Sequence, residues 1–332
     1  MSKSSPIGVI GAGSWGTALA VQLAKQGNPT LLWGRNAEHL ETLSSARENV
    51  EYLPGVTFPD TLSIETNLKR LCMQCDDLLV VTPSYTLHEI VTQLGENPSS
   101  KRRIALATKG LEQGSGRLPH DVIGDLLGRE LPVVILSGPT FAAEVGRGMP
   151  TAITIAGEQG WAADLAERLH SPSFRPYLSN DLVGVEIGGA VKNVIAIGAG
   201  ISDGLGFGAN ARVALITRGL AEMMRLGVKL GGKTETFMGL AGIGDLVLTC
   251  TDDQSRNRRM GLKLGAGTTL DDAHLEIVQV VEGVVAAREI FQLAQKLGIE
   301  MPIIEQVFRV IYEGRDPREA VNALLSREIK SE

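Results

Sequence analysis

The first half of the chain alternates short apolar runs with stretches of helical periodicity. Six runs, rich in β-branched and aliphatic residues, predict buried strands that we expect to be parallel: residues 7–10, 30–33, 78–82, 104–107, 133–136 and 152–155. Helices lie between them, such as the one predicted at residues 15–26. This alternation is typical of a doubly wound α/β sheet, which binds ligands beyond the carboxyl ends of its strands.

The composition changes after about residue 180. Strand-like runs give way to stretches rich in Ala, Gly, Leu, Met and Arg, and helical apolar spacing recurs at residues 212–226, 282–297 and 303–313. We therefore predict an N-terminal Rossmann-type doubly wound α/β sheet at residues 1–180. An all-α C-terminal domain is predicted at residues 181–332.

Composition narrows the class of protein. The 332 residues, of which 43% are hydrophobic and 21% charged, are sufficient for a sizeable core. The formal net charge of −6 argues against nucleic acid as a partner, because phosphate backbones are bound mainly through excess Lys and Arg. No uninterrupted apolar stretch reaches membrane-spanning length, and residues 1–6 lead directly into a strand pattern instead of a signal-peptide core. We expect a cytoplasmic protein without membrane insertion.

The cysteines indicate a reducing compartment. Only Cys72, Cys75 and Cys250 occur, which is sparse for a secreted protein of this size. Cys72 and Cys75 have CxxC spacing, but no second pair or histidine cluster accompanies them, so coincidence is favoured over a zinc site. The five histidines are scattered without metal-ligand spacing. We therefore expect no metal.

A glycine-rich motif, Gly11-Ala-Gly-Ser-Trp-Gly16, joins the first predicted strand to the first predicted helix. The flanking strand and helix supply the context that a dinucleotide-binding fingerprint requires. The bare backbone of Gly11 and Gly13 would admit a pyrophosphate, and the amides of Ser14 and Trp15 would point at it from the helix N-terminus. A tight turn without a ligand is the alternative. The motif predicts a nicotinamide or flavin dinucleotide site.

The end of the second predicted strand bears on which dinucleotide is bound. An acidic residue there would hydrogen-bond the ribose 2′-hydroxyl of NAD, but this chain has Gly34-Arg-Asn36. An arginine favours a 2′-phosphate, so we expect NADPH and NADP to be bound well, without excluding NADH and NAD. For Arg35 a merely solvated charge is the alternative.

A lysine lies inside the glycine-rich run at residues 186–200. Its neighbours at helical spacing are small or apolar: Val185, Gly188, Gly189, Ile195 and Ala196. Burial among them would lower the pKa of Lys192 toward neutrality, which suits proton exchange with a substrate oxygen, and the glycines would leave room for a ligand. A lysine that snorkels to water is the alternative.

Two loops follow predicted strands at the ligand-facing edge of the sheet. Lys109 comes directly after residues 104–107, and residues 137–143 carry exposed amides and a hydroxyl at a predicted helix start. Ordinary turns are the alternative for both loops.

Two motifs in the helical half carry charge. Asp245 lies in a glycine turn, and residues 253–259 concentrate three arginines in an acidic protein. Ser255, Arg256 and Asn257, at a predicted helix start, suit a phosphate through amides, a hydroxyl and a guanidinium. A solvated basic helix face is the alternative.

With these motifs together, the chain resembles the bacterial NAD(P)-dependent sn-glycerol-3-phosphate dehydrogenases over nearly its whole length. The likeness is carried by ordered segments: residues 11–19, 107–110, 137–139, 189–193, 203–204, 208–210, 241–245 and 254–258. The resemblance implies reversible reduction of dihydroxyacetone phosphate to sn-glycerol 3-phosphate, feeding glycerophospholipid synthesis, by a homodimer that uses NADPH/NADP or NADH/NAD.

The resemblance also implies roles for individual residues. Lys192 would be the general acid and base at the C2 oxygen, with Lys109 and Asp245 as further catalytic residues beside the substrate. Other substrate contacts would come from Gly138, Thr140, Asn193, Ser255, Arg256 and Asn257, with a threonine at 140 where many family members carry serine. The dinucleotide would contact Gly11, Gly13, Ser14, Trp15, Gly16, Arg35, Lys109, Ala142, Arg256, Val280 and Glu282.

Two other functions fit part of the same pattern. A β-hydroxyacid dehydrogenase also pairs a dinucleotide domain with a helical domain and a lysine, but acts on a carboxylate substrate. A non-catalytic dinucleotide sensor would use the helical domain to bind a partner, although Lys192 and Asp245 in their glycine surroundings would then lack an explanation.

Overall fold

The computed structural model describes residues 5–277 and 279–326 of the chain. Residues 1–4, on which the expectation about a signal peptide partly depends, and residues 327–332 lie outside this range. The chain forms two compact units, one comprising Met1–Thr108 and Pro119–Leu182, the other Lys109–Leu118 and Val183–Glu332. The short segment Lys109–Leu118 thus packs with the helical part of the chain. The predicted single boundary near residue 180 does not include this segment in the helical domain.

The first unit has alternating strands and helices. Its strands are β1 (Ile7–Ile10), β2 (Thr30–Trp33), β3 (Glu48–Asn49), β4 (Leu53–Thr57), β5 (Leu62–Ile64), β6 (Asp77–Val80), β7 (Arg103–Leu106), β8 (Val133–Ser137), β9 (Thr151–Gly157) and β10 (Phe174–Ser179). Its helices are α1 (Ser14–Lys25), α2 (Ala37–Ala46), α3 (Leu68–Gln74), α4 (Leu87–Gly95), α5 (Pro119–Leu127), α6 (Ala142–Arg147) and α7 (Gln159–Leu169), with a single 3₁₀ turn at Ser84–Thr86.

Eight of these strands form one sheet in the order β10-β9-β8-β7-β6-β1-β2-β5. From β8 to β5 neighbouring strands are parallel, and the strand order reverses beside β1, where β2 lies on one side and β6 on the other. Both β1 and β6 are buried along their whole length, as central parallel strands between two helical layers should be. The predicted doubly wound sheet is confirmed, and its switch point lies where the glycine motif leaves β1.

The expectation that all six predicted strands are parallel is wrong for β9. Ser137 at the end of β8 pairs with Thr154, and β9 runs antiparallel to β8. The six-residue α6 is the only helix between them. A parallel return needs a crossover that runs back along the full length of a strand. A six-residue helix is about 9 Å long and covers less than half of the seven-residue β9, so the chain returns in the opposite direction. The short strands β3, β4 and β5 and the edge strand β10 were not predicted.

The regular secondary structure in the described residues of the second unit is helical. Its helices are α8 (Leu182–Gly204), α9 (Ala209–Lys229), α10 (Thr234–Phe237), α11 (Asp245–Thr251), α12 (Arg256–Gly265), α13 (Leu270–Ile277), α14 (Glu282–Leu297), α15 (Pro302–Tyr312) and α16 (Pro317–Leu325), with a π-type turn at Leu240–Gly244 before α11. One hydrophobic core joins these helices to Leu111 and Leu118 of the segment at Lys109–Leu118. The predicted all-α domain is confirmed as a fold class.

Helix α8 is the central helix of this unit. It is long and apolar enough to cross a membrane by length and composition alone, but 89% of its most apolar window is buried within the protein. Glycines on α8 and α12 let these two helices pack closely. A Cβ on Gly200 of α8 would lie 2.1 Å from the Arg258 carbonyl oxygen, and one on Gly261 of α12 would lie 2.0 Å from the Ile197 carbonyl oxygen. Two helix backbones therefore meet here at a distance that only glycine permits.

Candidate functional site

The glycine motif of the first unit leaves an open helix terminus. Gly11 has a φ of +126°, and a Cβ there would lie 2.5 Å from the Val81 carbonyl oxygen; one on Gly16 would lie 1.8 Å from the Gly11 carbonyl oxygen. Both glycines are thus required by the turn itself. At Gly13, in contrast, a Cβ would meet nothing within 4 Å. The space beside Gly13 is where a ligand can approach the backbone.

The N-terminus of α1 suits an anion. Its N-cap residue is Gly13, no side chain caps the first amides, and no acidic residue occupies the first turn. Four amides at a helix N-terminus lack helical partners, and the helix dipole favours negative charge there. The indole Nε1 of Trp15 is buried and has no hydrogen-bond partner in the described part of the chain. These features fit the pyrophosphate of a dinucleotide.

The other candidate residues of the first unit lie at two strand ends. Arg35 follows β2 and is exposed, and the side chain of Asn36 caps α2 by accepting from the His39 amide at 3.2 Å.

Gly138 follows β8 with a φ of +155°, and its carbonyl oxygen accepts from the Thr140 hydroxyl at 3.1 Å. Ala142 begins α6, as the sequence predicted for a helix start near that position. The roles of these residues stay predictions.

The second unit contains a cluster of two lysines around one buried carboxylate. The Lys192 ammonium donates to Asp245 Oδ1 at 2.6 Å and to the Thr249 hydroxyl at 2.9 Å. Lys109 Nζ donates to Asp245 Oδ2 at 2.9 Å. Asp245 is 1% exposed and Lys192 6%, so Lys192 does not snorkel to water. Its ammonium is held inside the unit by a charge partner.

Glycines position this cluster by close backbone contact. A Cβ on Gly188 of α8 would lie 2.3 Å from the Ala241 carbonyl oxygen, and one on Gly242 would lie 2.1 Å from the Phe237 carbonyl oxygen. The π-type turn at Leu240–Gly244 is therefore pressed against α8, directly before Asp245 begins α11. The expectation that these glycines leave room for a ligand is wrong at Gly188, where the neighbouring backbone fills the space.

Burial and charge set the protonation behaviour of the cluster. Burial lowers the pKa of Lys192 to about 8; Asp245 opposes this change, and the Lys109 ammonium adds to it. Burial alone would raise the pKa of Asp245, but Lys109 and Lys192 together hold it below its ordinary value. The cluster thus has a permanent carboxylate and a lysine able to give and take a proton near neutral pH, which suits general acid and base chemistry.

The predicted helix start in the arginine-rich segment is confirmed. Ser255 is the N-cap of α12, and its hydroxyl accepts from the Arg258 amide at 3.2 Å. Arg256 opens the helix; burial lowers the pKa of its guanidinium, Glu282 opposes this, and Arg259 adds to it. Arg256 and Glu282, both predicted to contact the dinucleotide, are therefore within electrostatic reach of each other.

Two asparagines connect this helix start to the lysine. Asn257 Nδ2 donates to Asn193 Oδ1 at 2.9 Å, and Asn257 Oδ1 accepts from the Gly283 amide at 2.9 Å. Asn193 follows Lys192 on α8, and Gly283 lies in the first turn of α14. The predicted residues Asn193 and Asn257 are thus brought together, and they fix α8, α12 and α14 to one another. Val280, which precedes α14, is partly buried.

Two polar residues of these sites were not found from the sequence. Thr249 lies one turn after Asp245 on α11, accepts from Lys192, and donates its hydroxyl hydrogen to the Asp245 carbonyl oxygen at 2.5 Å. Its spacing of four residues from Asp245 was the available signal. Asn49 is fully buried and donates to the Ala12 carbonyl oxygen at 3.0 Å. Nothing in its local sequence indicates that contact.

Among residues 5–277 and 279–326, no group of three or more His, Cys, Asp or Glu side chains is arranged to hold a metal ion. The thiols of Cys72, Cys75 and Cys250 are all free and buried. Burial raises the pKa of Cys75 and of Cys250 to about 12, so neither thiol is poised as a nucleophile.

Comparison with known proteins gives one consistent family. The family described as NAD-dependent glycerol-3-phosphate dehydrogenase N-terminus matches residues 6–163, and the one described as NAD-dependent glycerol-3-phosphate dehydrogenase C-terminus matches residues 181–322. A Shewanella amazonensis protein named as an NAD(P)+ glycerol-3-phosphate dehydrogenase is 54% identical over 334 aligned residues, covering 100% of this chain and 98% of that one.

Two further relatives are also named as glycerol-3-phosphate dehydrogenases. A Vibrio cholerae protein with the same name is 55% identical over 326 residues, covering 98% of this chain and 95% of that one. The crystal structure of a glycerol-3-phosphate dehydrogenase from Coxiella burnetii has a TM-score of 0.95 and 48% identity, covering 97% of this chain and 99% of that one. The likeness therefore extends over both units.

Proposed function

Because the chain belongs to the NAD-dependent glycerol-3-phosphate dehydrogenase family, we propose that it catalyses the reversible reduction of dihydroxyacetone phosphate to sn-glycerol 3-phosphate with NADPH or NADH. The observation that carries the proposal is the buried Lys192 ammonium, held at 2.6 Å by Asp245, with a pKa of about 8. Reduction of a ketone requires a proton donor of this kind at the oxygen.

The first unit is proposed to bind the dinucleotide, which supplies the hydride when bound. Gly13 leaves the backbone approachable, and the uncapped first turn of α1 offers amides to the pyrophosphate. The exposed Arg35 guanidinium would pair with a 2′-phosphate, which supports use of NADPH. The second unit is proposed to contribute Arg256, Val280 and Glu282 to the same dinucleotide, and Lys109 as well.

Lys192 is proposed to act at the C2 oxygen. Negative charge grows on this oxygen as C2 is reduced, and the ammonium stabilises that charge and then donates its proton. In the reverse direction the neutral amine accepts the proton from the C2 hydroxyl. Asp245 keeps the side chain in place and supports its positive charge, while Lys109, bonded to the other carboxylate oxygen, keeps Asp245 ionised.

The start of α12 is proposed to hold the substrate phosphate. Ser255 orders the helix start, the first amides carry the positive end of the helix dipole, and Arg256 adds a guanidinium. Asn193 and Asn257 are bonded to each other between Lys192 and this helix start, so they would fix the distance between proton donor and phosphate anchor. Gly138 and Thr140 of the first unit are proposed as further substrate contacts.

The proposed cellular setting follows from the family resemblance. We propose a cytoplasmic homodimer that supplies sn-glycerol 3-phosphate for glycerophospholipid synthesis. Sedimentation equilibrium of the purified protein would test the oligomeric state; a molecular mass of one chain, against 35.4 kDa from the sequence, would contradict the dimer.

The activity is tested by following NADPH absorbance with purified protein and dihydroxyacetone phosphate. Unphosphorylated dihydroxyacetone and hydroxypyruvate serve as parallel substrates, and NADH as the parallel dinucleotide. We expect rapid oxidation only with the phosphorylated ketone. Turnover of hydroxypyruvate alone would instead favour a hydroxyacid dehydrogenase, and dinucleotide binding without turnover of any of them would favour a sensor.

A further inference from the structure

We propose that Asn49 is a positioning residue for the dinucleotide, because its side chain fixes the glycine motif of the first unit in the conformation that binds a pyrophosphate. This inference rests on the proposed dinucleotide binding. Asn49 lies in the two-residue strand β3, 37 positions after Ala12 in the chain, and its side chain is wholly buried. It makes one contact on each side of Gly13, with Ala12 inside the motif and with Thr17 directly after the motif.

The amide nitrogen of Asn49 makes both contacts. Nδ2 donates to the Ala12 carbonyl oxygen at 3.0 Å and to the Thr17 hydroxyl oxygen at 2.8 Å. Ala12 lies in the turn after β1, and Thr17 lies in the first turn of α1. One planar amide thus joins the turn to the helix that follows it.

The amide oxygen of Asn49 is held from the other side. Oδ1 accepts from the Tyr52 amide at 3.2 Å and lies 3.2 Å from His39 Nε2. The oxygen has only lone pairs, so Nε2 must carry the hydrogen in this contact. All four hydrogen-bonding positions of the Asn49 amide are then used, and the Tyr52 amide and Ala12 carbonyl together allow only one orientation of the side chain.

The contact with Ala12 determines where the next amide points. In a trans peptide the carbonyl and the following N–H point in opposite directions, so directing the Ala12 carbonyl at Asn49 sends the Gly13 N–H away from Asn49. Glycine can rotate this peptide more freely than any other residue, and the space beside Gly13 is open. Without Asn49 the motif would sample other peptide orientations, and binding would require it to be ordered again.

The test is to measure the Kd for NADPH by fluorescence titration of Asn49→Ala, Asn49→Asp and Thr17→Val. Asn49→Asp keeps the side-chain size but presents an oxygen to the Ala12 carbonyl, whereas Thr17→Val removes one of the two contacts with little change of shape. We expect the Kd to rise at least about tenfold in both Asn49 variants and about two- to fivefold in Thr17→Val. In turnover we expect the KM for NADPH to rise while kcat at saturating NADPH and the KM for dihydroxyacetone phosphate stay within about twofold.

Asn28→Ala is the matched control. Asn28 is also buried in the first unit, and its amide donates to the carbonyl oxygens of Leu23 and Arg168, both at 3.0 Å, at the other end of α1. Its loss should lower the melting temperature but leave the Kd for NADPH within about twofold.

Two results would overturn the role of Asn49. One is tight NADPH binding by the unmutated protein and by all three variants alike; the other is an equal rise of Kd in Asn28→Ala, which would reduce Asn49 to a general stabilising residue. Failure of the unmutated protein to bind NADPH or NADH would overturn the proposed function as well. Thr17→Val keeps the test decisive if the Asn49 variants do not fold.

Discussion

Asp77 in the first unit and Asp245 in the second are each buried between two cations, and the two sites differ in the kind of cation. In the first unit Asp77, 3% exposed, receives two hydrogen bonds from Arg103 at 2.7 and 2.9 Å and lies 3.0 Å from Arg168. In the second unit Asp245 accepts one hydrogen bond from Lys109 and one from Lys192. Similar charge and burial therefore occur in two sites with different cations.

The two sites differ in whether a cation can lose its proton near neutral pH. The hydrogen bonds that Arg103 donates to Asp77 raise the pKa of Arg103 above its already high value, so that guanidinium never gives up a proton. Arg103 also lies over the Trp161 ring at 4.2 Å and pairs with Asp164, as a residue that joins β7 to α7 should. Burial lowers the pKa of Lys192 to about 8. We infer that the Arg103–Asp77 pair stabilises the fold and that Lys192, paired with Asp245, transfers a proton.

Removing the central lysine should have the largest effect on catalysis. We expect Lys192→Ala to lower kcat by about 10²- to 10⁴-fold, the usual contribution of a positioned proton donor, while NADPH affinity changes by no more than a few-fold. Steady-state kinetics with dihydroxyacetone phosphate and a parallel NADPH titration measure both. A variant with kcat near that of the unmutated protein would remove Lys192 from the mechanism.

Neutralising each aspartate tests the comparison directly. Asp245→Asn keeps the shape of the carboxylate but removes its charge, so the pKa of Lys192 should fall further and the ammonium should be lost at neutral pH; we expect kcat for reduction to fall about 10²-fold.

Asp77→Asn is the matched variant in the first unit. We expect little change of kcat but a loss of unfolding free energy, measured by urea denaturation, near the lower end of the roughly 3–5 kcal/mol seen for broken buried pairs, because Arg103 keeps some access to water. The opposite result, with Asp77→Asn inactive and Asp245→Asn active but unstable, would contradict a structural role for Asp77 and a catalytic role for Asp245.

Arg256 offers a test outside both pairs. We expect Arg256→Ala to raise the KM for dihydroxyacetone phosphate about 10- to 100-fold, because a charge-assisted hydrogen bond to phosphate is lost, with a smaller effect on unphosphorylated dihydroxyacetone. Arg212→Ala is the control, since Arg212 pairs with Asp203 at 2.7 Å. Equal KM values for the phosphorylated ketone in both variants would contradict the phosphate anchor.

Local patterns in the sequence predict much of the first unit. The strands at Ile7–Ile10 and Thr30–Trp33 have the predicted bounds, because a buried parallel strand is a short apolar run with a turn at each end. The direction of β9 was missed, since it depends on the length of helix α6 in the connection and on no feature of the strand itself. Asn49 was missed because its partner Ala12 is distant in sequence.

Less of the second unit can be predicted from the sequence. Small and apolar neighbours predict the burial and the lowered pKa of Lys192, and both are found. Its pairing with Asp245 joins residues 53 positions apart, and no local period encodes such a contact. The glycines around it indicate close approach, but the sequence cannot say of what: at Gly188 and Gly200 it is a neighbouring backbone.

The pH dependence of kcat in both directions tests the central claim most directly, namely that Lys192 exchanges the substrate proton. With a pKa of about 8, the ammonium needed for reduction is lost as pH rises through that value, and the neutral amine needed for oxidation is gained. We predict that kcat for dihydroxyacetone phosphate reduction falls above about pH 8 while kcat for sn-glycerol 3-phosphate oxidation rises over the same interval. Profiles that stay flat through this range in both directions would contradict the account.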